Sequence, residues 1–457
     1  MKRISIQYHA MIIAIALLGL AAPPPAQAFC GFYVGKSDAS LFNHASQVVM
    51  VRHEDKTVLS LMNDYQGEPS EFALVVPVPE VLQRGQIHIG DRELFTRIDS
   101  YSSPRLVEYY DEDPCQRMLM REMQAPMGAP AVAGNAVSTS RAKSLGVTIE
   151  AQYTVGEYDI VILSAKQSDG LETWLQENGY HVPLGAGRAL KPYLRQNMKF
   201  FVAKVNLKEH AKTGLSYVRP LQFAFTSPKF MLPIRLGMLN AQGPQDLVIY
   251  ALTKDGRVET TNYRTQKLPS DIELPGSVRD EFPVFYKDMF DHQVKLSEMN
   301  TVFTEYAWNM GWCDPCAAEP LTQQELRKLG VFWLEDTGRP VPMYGRPMIA
   351  PAPGSVPVML TRLHVRYSAD TFPEDLVFQE TQDTENYQAR YVLHRAWQGS
   401  PNECPEAKTY FEQLNERRRK EAQNLAELTG WDIEKALRKA GMNPSEKPGP
   451  WWHNLWD

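Results

Sequence analysis

Residues 72–79 read Phe72-Ala73-Leu74-Val75-Val76-Pro77-Val78-Pro79. The run is apolar almost without a break. It reads as a β-strand that Pro77 and Pro79 bring to an end, because proline cannot donate to a strand ladder. Two further strands precede it, Gln47 to Val51 and Thr57 to Met62, and Gln66-Gly67-Glu68-Pro69 supplies turn chemistry before the third. Asp91 is placed to cap a short helix with Leu94, Phe95 and Ile98 on one face.

The same grammar continues outward. Residues 123–146 are rich in Ala, Pro, Gly and Ser and carry no apolar period, which reads as a mobile linker. Beyond it, Tyr158 to Leu163 reads as a strand. Gly170 to Asn178 reads as a helix with Leu171, Trp174 and Leu175 inward, stopped by Gly179. Ala189 to Met198 is a second helix. Strands are expected at Phe200 to Asn206, Leu221 to Thr226, Arg235 to Leu239 and Asp246 to Thr253, and Lys254-Asp255-Gly256-Arg257 reads as a hairpin turn before Val258. Further strands fall at Val302 to Trp308, Val331 to Glu335, Leu363 to Tyr367, Leu376 to Gln379 and Ala389 to Trp397. Thr322-Gln323-Gln324-Glu325 is a capping box, and Gly338 to Pro357 is proline-dense and extended. Pro405 to Thr429 is a long helix faced by Phe411, Leu414, Ala422, Leu425 and Leu428. Its Arg417-Arg418-Arg419-Lys420 run reads as a solvated face.

The fold class expected is therefore α+β, mainly β: β-sandwich-like layers with a few short helices and a C-terminal helical segment. The organisation is a signal segment at 1–28, β-rich blocks at 29–122 and 147–300 joined by the linker, a Cys- and Pro-bearing β block at 301–403, and helices over 404–457.

The first 28 residues carry Lys2 and Arg3, an apolar stretch from Ala10 to Ala22, a break at Pro23-Pro24-Pro25 and the small residues Ala26-Gln27-Ala28. These are the parts of a cleavable export signal, with cleavage expected after Ala28. The remaining apolar runs are too short to span a bilayer, so no stable membrane insertion is expected after cleavage. The formal net charge of −6 argues against a nucleic-acid partner. A periplasmic or extracellular location follows.

Five cysteines are present: Cys30, Cys115, Cys313, Cys316 and Cys404. In an oxidising compartment most should pair, and the odd count leaves one over. A Cys30–Cys115 bridge would pin the new N-terminus to the end of the first block and stabilise by roughly 4.6 kcal/mol on loop entropy. Pairing of Cys30 or Cys115 with Cys404 is the alternative.

Several short stretches together carry a family resemblance. They are Cys30-Gly31-Phe32, the 72–79 run, Val155-Gly156-Glu157-Tyr158-Asp159, Trp174-Leu175 with Asn178-Gly179-Tyr180, and Pro233-Ile234-Arg235-Leu236-Gly237. On these the chain resembles the bacterial family catalogued as domain of unknown function 2330, from Phe29 to about Trp397. The resemblance implies an exported bacterial protein, with no established activity and a C-terminal membrane anchor in some relatives. No such anchor is expected here.

Gly311-Trp312-Cys313-Asp314-Pro315-Cys316 is the stretch that most looks like chemistry. A thiol at a helix N-terminus favours thiolate, and a second thiol three residues on can resolve a mixed disulfide. Val356-Pro357-Val358 lies where a thioredoxin-like chain brings its proline loop. Against this, Pro320 and the new capping box at Thr322 interrupt the long helix such a site needs. The pair reads as a structural bridge worth about 2 kcal/mol, with a thiol–disulfide oxidoreductase using Cys313 and Cys316 as the alternative. No further ligands accompany them for a metal, and no cofactor motif is present. His44, His53, His88, His364 and His394 read as scattered surface or core residues, and Tyr109-Tyr110-Asp111-Glu112-Asp113 as a solvated loop. The expectation is a non-catalytic binding or scaffold protein, with an envelope protein or a carbohydrate as partner.

Overall fold

The computed structural model describes residues 32–35, 42–43, 46–62, 65–66, 72–115, 147–178, 182–215, 217–241, 243–312, 319–334, 356 and 358–443. The 1–28 segment, the 123–146 linker, residues 67–69, Gly179 and most of 338–357 lie outside them, as do Cys30, Cys313 and Cys316.

Two sheets dominate. The larger has nine strands, ordered Arg264–Lys267, Thr301–Asn309, Met359–Tyr367, Gln245–Thr253, Ser46–His53, Lys56–Met62, Leu221–Thr226 and Ile87–Ile89, with Tyr387–Gln388 paired beside Thr301–Asn309. It draws strands from all three β-rich blocks. The smaller is antiparallel and ordered Phe32–Gly35, Phe72–Val78, Lys199–Val205, Tyr158–Ala165 and Val147–Val155.

The pleat explains why several strands read as unbroken apolar runs. Successive side chains alternate between faces, and here both faces are buried. From Phe72–Val78, Leu74, Val76 and Val78 enter the core shared with the larger sheet, while Ala73 and Val75 enter a second core. That second core is covered by the helices Ser168–Glu177 and Ala186–Arg195 through Leu171, Leu175, Leu190 and Tyr193. Likewise Val48 and Met50 face the smaller sheet, while Val49 and Val51 face the helix Arg92–Ser102 through Leu94, Phe95 and Ile98. The result is four layers: helices, five-stranded sheet, nine-stranded sheet, helices. The expected sandwich is present, with helices on both outer faces. Pro77 lies past Val75, the last residue that Phe32–Gly35 pairs, so its missing N–H leaves that ladder intact.

Many elements fall where the local signals put them. Asp91 caps Arg92–Ser102 by accepting from the Glu93 N–H at 2.9 Å. Thr322 and Glu325 form the full capping box of Gln323–Lys328. The long helix spans Pro405–Thr429.

Three expectations are corrected. Arg235–Asn240 is a 3-10 helix and not a strand, because the Asp375 carboxylate accepts the Ile234 and Arg235 N–H groups at its start. The turn at Lys254–Gly256 does not fold a hairpin back on its own strand. Glu380 Oε1 gathers the N–H groups of Lys254, Asp255 and Gly256, and Val258–Thr260 pairs with Leu376–Glu380 instead. Residues 331–334 are not a strand: Trp333 and Leu334 are buried in succession rather than alternately, and the Arg327 guanidinium holds the Leu334 carbonyl at 2.8 Å. Phe282–Leu296 is a further helix, and Ile433–Lys439 falls within the helical segment expected over 404–457.

The expected Cys30–Cys115 bridge is corrected, and the alternative that pairs Cys115 with Cys404 is the one found. Cys115 bonds Cys404, 289 residues away, and not Cys30. The reason is the parallel pairing of Arg105–Tyr110 with Arg390–Arg395, in register from Arg105–Arg390 to Tyr110–Arg395. Both chains leave the sheet at the same end, which brings the two Cα atoms to 5.9 Å.

The inter-sheet core is the main source of stability. Phe201 and Phe223, one from each sheet, stack at 5.1 Å and are both buried. Phe201→Ala should lower stability by about 3–5 kcal/mol, read as a reduced urea midpoint at an unchanged slope.

Candidate functional site

Cys313 and Cys316, the expected redox alternative, lie outside the described residues. Of the five histidines, His44 also lies outside. His53 packs on Trp333 with ring centroids 5.6 Å apart, and His88 is exposed. His364 and His394 are different, because each sits inside a cluster of charges.

The larger cluster starts from one strand. Met359–Tyr367 contains Arg362-Leu363-His364-Val365-Arg366, and strand geometry sends the three basic residues to one face. Leu363, Val365 and Tyr367 take the opposite face into the inter-sheet core. The basic row is met by carboxylates from four other elements. Glu305 comes from the neighbouring strand Thr301–Asn309, Asp246 from Gln245–Thr253, Asp99 from the helix Arg92–Ser102 and Asp291 from the helix Phe282–Leu296.

Glu305 is at the centre and fully buried. It occupies a β-bulge: Thr304 pairs Leu363 and Tyr306 pairs Arg362, so Glu305 is the extra residue. A bulge re-aims the side chain that it carries. Glu305 Oε2 accepts from Arg362 Nε at 2.5 Å, and Oε1 lies 2.7 Å from His364 Nδ1. The Tyr286 hydroxyl also donates to Oε1. Arg362 Nη1 donates to Asp99 Oδ1 at 2.7 Å and to Ser103 Oγ at 3.0 Å, and the Tyr250 hydroxyl donates to the same Asp99 oxygen at 2.6 Å. Arg366 grips Asp246 with two bonds, 2.8 and 2.7 Å, and reaches Asp291 at 2.5 Å. The Phe290 ring stacks on His364 at 3.8 Å, and the Arg366 guanidinium lies 5.4 Å from the same ring.

Burial alone would push the Glu305 carboxyl up. Arg362 and His364 outweigh burial and, with the Tyr286 hydroxyl, hold it down at about 2. The Tyr286 and Tyr250 hydroxyls are raised, first by burial and then by the neighbouring carboxylates. Each charge is engaged by an opposite charge or a hydroxyl within the network. Such an arrangement locks strands and helices in place. A group poised to attack or to transfer a proton would need a partner left for substrate.

Two of the stretches that carried the family resemblance also prove to be clasps. Glu157 is fully buried, and Arg219 grips it through its backbone N–H at 2.9 Å and its guanidinium at 2.6 Å. Burial raises this carboxyl, and the Arg219 bonds outweigh burial and hold it below the usual range. The Tyr158 hydroxyl donates to the Arg219 carbonyl at 2.6 Å. Gly156 precedes them at φ +56°, where a Cβ would sit 2.7 Å from Ile89. The Pro233–Gly237 stretch is held by buried Asp375, whose Oδ1 also accepts from the Tyr193 hydroxyl at 2.6 Å.

The second cluster surrounds His394. Asp111 Oδ1 lies 3.5 Å from its Nδ1, and Glu273 Oε1 lies 3.6 Å from its Nε2. Asp111 also accepts from Arg417 at 2.6 Å and from the Tyr410 hydroxyl at 2.5 Å. Neither the 109–113 stretch nor the basic run of the long helix is therefore wholly solvated, since Asp111 and Arg417 turn inward to meet each other. Among the described residues no group of His, Cys, Asp and Glu side chains converges to hold a metal. A polar cleft of about 550 Å³ lies beside Tyr263, Arg264, Leu296 and Asn300, and no member of the Glu305 network lines it.

The fold and site thus define a mixed, layered sheet protein with a buried ion network. The chain belongs to the family described as an uncharacterised protein conserved in bacteria, domain of unknown function 2330, whose profile matches residues 24–379. No curated protein and no solved structure matches it. Among the described residues no helix is long and apolar enough to cross a membrane.

Glu305→Gln should cost about 3 kcal/mol at neutral pH, the low end for a broken buried pair, because Arg362 loses Glu305 but keeps Asp99 as a counter-charge. The pH dependence has a definite sign. The folded pKa lies below the unfolded one, so the carboxylate's contribution is complete above about pH 4.5 and is lost as pH falls toward 2. Urea titrations from pH 6 to 2 should therefore show a steep acid loss that is flatter in Glu305→Gln.

Proposed function

We propose that this protein is an exported, non-catalytic scaffold or binding module of the bacterial cell envelope, held together by disulfide bonding. The observation that carries the reading is the Cys115–Cys404 bridge, which joins segments 289 residues apart. Bridges of this kind persist in oxidising compartments and are rare in reducing ones. The export signal expected at 1–28 supports the same location, and the internally satisfied Glu305 network supports a structural role for the most elaborate polar site. An envelope protein or a carbohydrate is the class of partner this reading expects.

The test is expression of the whole chain in a bacterium, followed by fractionation and non-reducing peptide mapping. The expected product starts at Phe29, sits in the envelope fraction and contains the Cys115–Cys404 peptide pair. Cys115→Ser should lower stability by up to about 6 kcal/mol on loop entropy. An uncleaved chain retained in the cytoplasm with both thiols free would refute export. A purified chain that reduces insulin disulfides, and loses that activity in Cys313→Ser, would replace this reading with the oxidoreductase one.

A further inference from the structure

The His394 cluster lies at a joint with an unusual charge balance. The helix Pro405–Thr429 packs Ala422, Leu425 and Leu428 into a core with Leu274, Phe285 and Leu393. It lies beyond the residues matched by the family profile, yet Cys404 at its N-cap ties it to Cys115 inside them. One turn past Arg417, Glu421 is only 5% exposed, with Oε1 3.4 Å from Arg417 Nε.

Arg417 is already committed to Asp111 through two bonds, at 3.1 and 2.6 Å. Two carboxyls therefore share one arginine, Asp111 after the Arg105–Tyr110 strand and Glu421 on the helix itself, and a third, Glu273 on Ile272–Leu274, stands by His394 and acts on Glu421. Arg418 is the other helix cation acting on Glu421, and His394 stands between Asp111 and Glu273. The other neighbours direct their charges elsewhere. On Phe282–Leu296, Asp288 binds the Trp431 indole and His292 lies against Gly430. On Ile433–Lys439, Lys439 pairs with Glu281 and Lys435 covers Trp431.

We propose that the helix Pro405–Thr429 is a strap, tethered covalently at Cys404, whose seating on the Ile272–Leu274 and Arg390–Arg395 strands is set by protonation of Glu421. A protonated Glu421 leaves Arg417 to Asp111 and puts no third negative charge in the joint. An ionised Glu421 adds a buried anion that one shared arginine does not neutralise, and the helix loosens about its disulfide tether. Burial first, and then Glu273 and Asp111, raise the Glu421 carboxyl to about 7 against the opposing pull of Arg417. Because the seated form holds the proton more tightly than the loosened form, seating is complete below about pH 4.5. It weakens as pH rises toward 7 and is level above that.

Hydrogen exchange of the disulfide-intact chain, corrected for the intrinsic pH dependence of exchange, tests this. Between pH 5 and 7.5 the opening equilibrium of peptides within 405–429 should rise on the order of tenfold or more. The Thr301–Asn309 strand serves as an internal control, since its Glu305 titrates well below this range. Glu421→Gln should abolish the rise. If the amide variant folds poorly, Glu421→Leu makes the same test with an apolar side chain. Equal protection at the two pH values in the natural chain would overturn the proposal. So would a full rise in either Glu421 variant, since the proton would then belong to another group.

Discussion

Four elements depend on one strand's alternation. Met359–Tyr367 sends Leu363, Val365 and Tyr367 into the space between the sheets, and Arg362, His364 and Arg366 toward the outer helices. Three basic groups on a buried face could not be tolerated alone, since removing charge from water costs several kcal/mol per ion. They are tolerated because two neighbouring strands and two helices each bring a carboxylate to them. The requirement runs both ways: Arg92–Ser102 and Phe282–Leu296 are positioned by Asp99 and Asp291 as well as by apolar packing. This gives the outer layer a defined register, which a uniformly apolar contact specifies less well.

The same logic recurs at smaller scale. Glu157 with Arg219, and Asp375 with the start of Arg235–Asn240, are buried carboxylates that bind backbone as well as side chain. Each ties together segments far apart in the chain. These clasps account for much of the polar content of the stretches by which the chain resembles its family. Such residues hold the architecture in place and say little about what it binds.

The C-terminal helix is attached differently. Its apolar face is ordinary, but its polar contacts gather three carboxyls, one histidine and one inward-facing arginine at a single joint, beside a covalent tether. In the Glu305 network the central carboxylate has Arg362 and His364 as close partners, which hold it well below neutrality. At the helix joint Glu421 shares Arg417 with Asp111, and the proposed proton response rests on that sharing.

Local chemistry was legible wherever a residue acts on its near neighbours. Asp91 and Thr322 as caps, the 72–78 run as a strand and the 405–429 period as a helix all follow from contacts within a few residues. The Arg362-His364-Arg366 alternation is also visible in the sequence, and an acidic residue within Val302 to Trp308 hints at its partner, but neither reveals that the two meet. The 235–240 segment, the rerouted turn at 254–256 and the Cys115–Cys404 pairing were each decided by a group more than a hundred residues away: Asp375, Glu380 and the partner cysteine. The sequence alone determined the layered, strand-rich class and most element positions, because hydrophobic period and capping are short-range. Only the tertiary structure decided which charges are buried together, since that depends on strand order and register, and a one-residue slip would turn every one of those side chains to the other face.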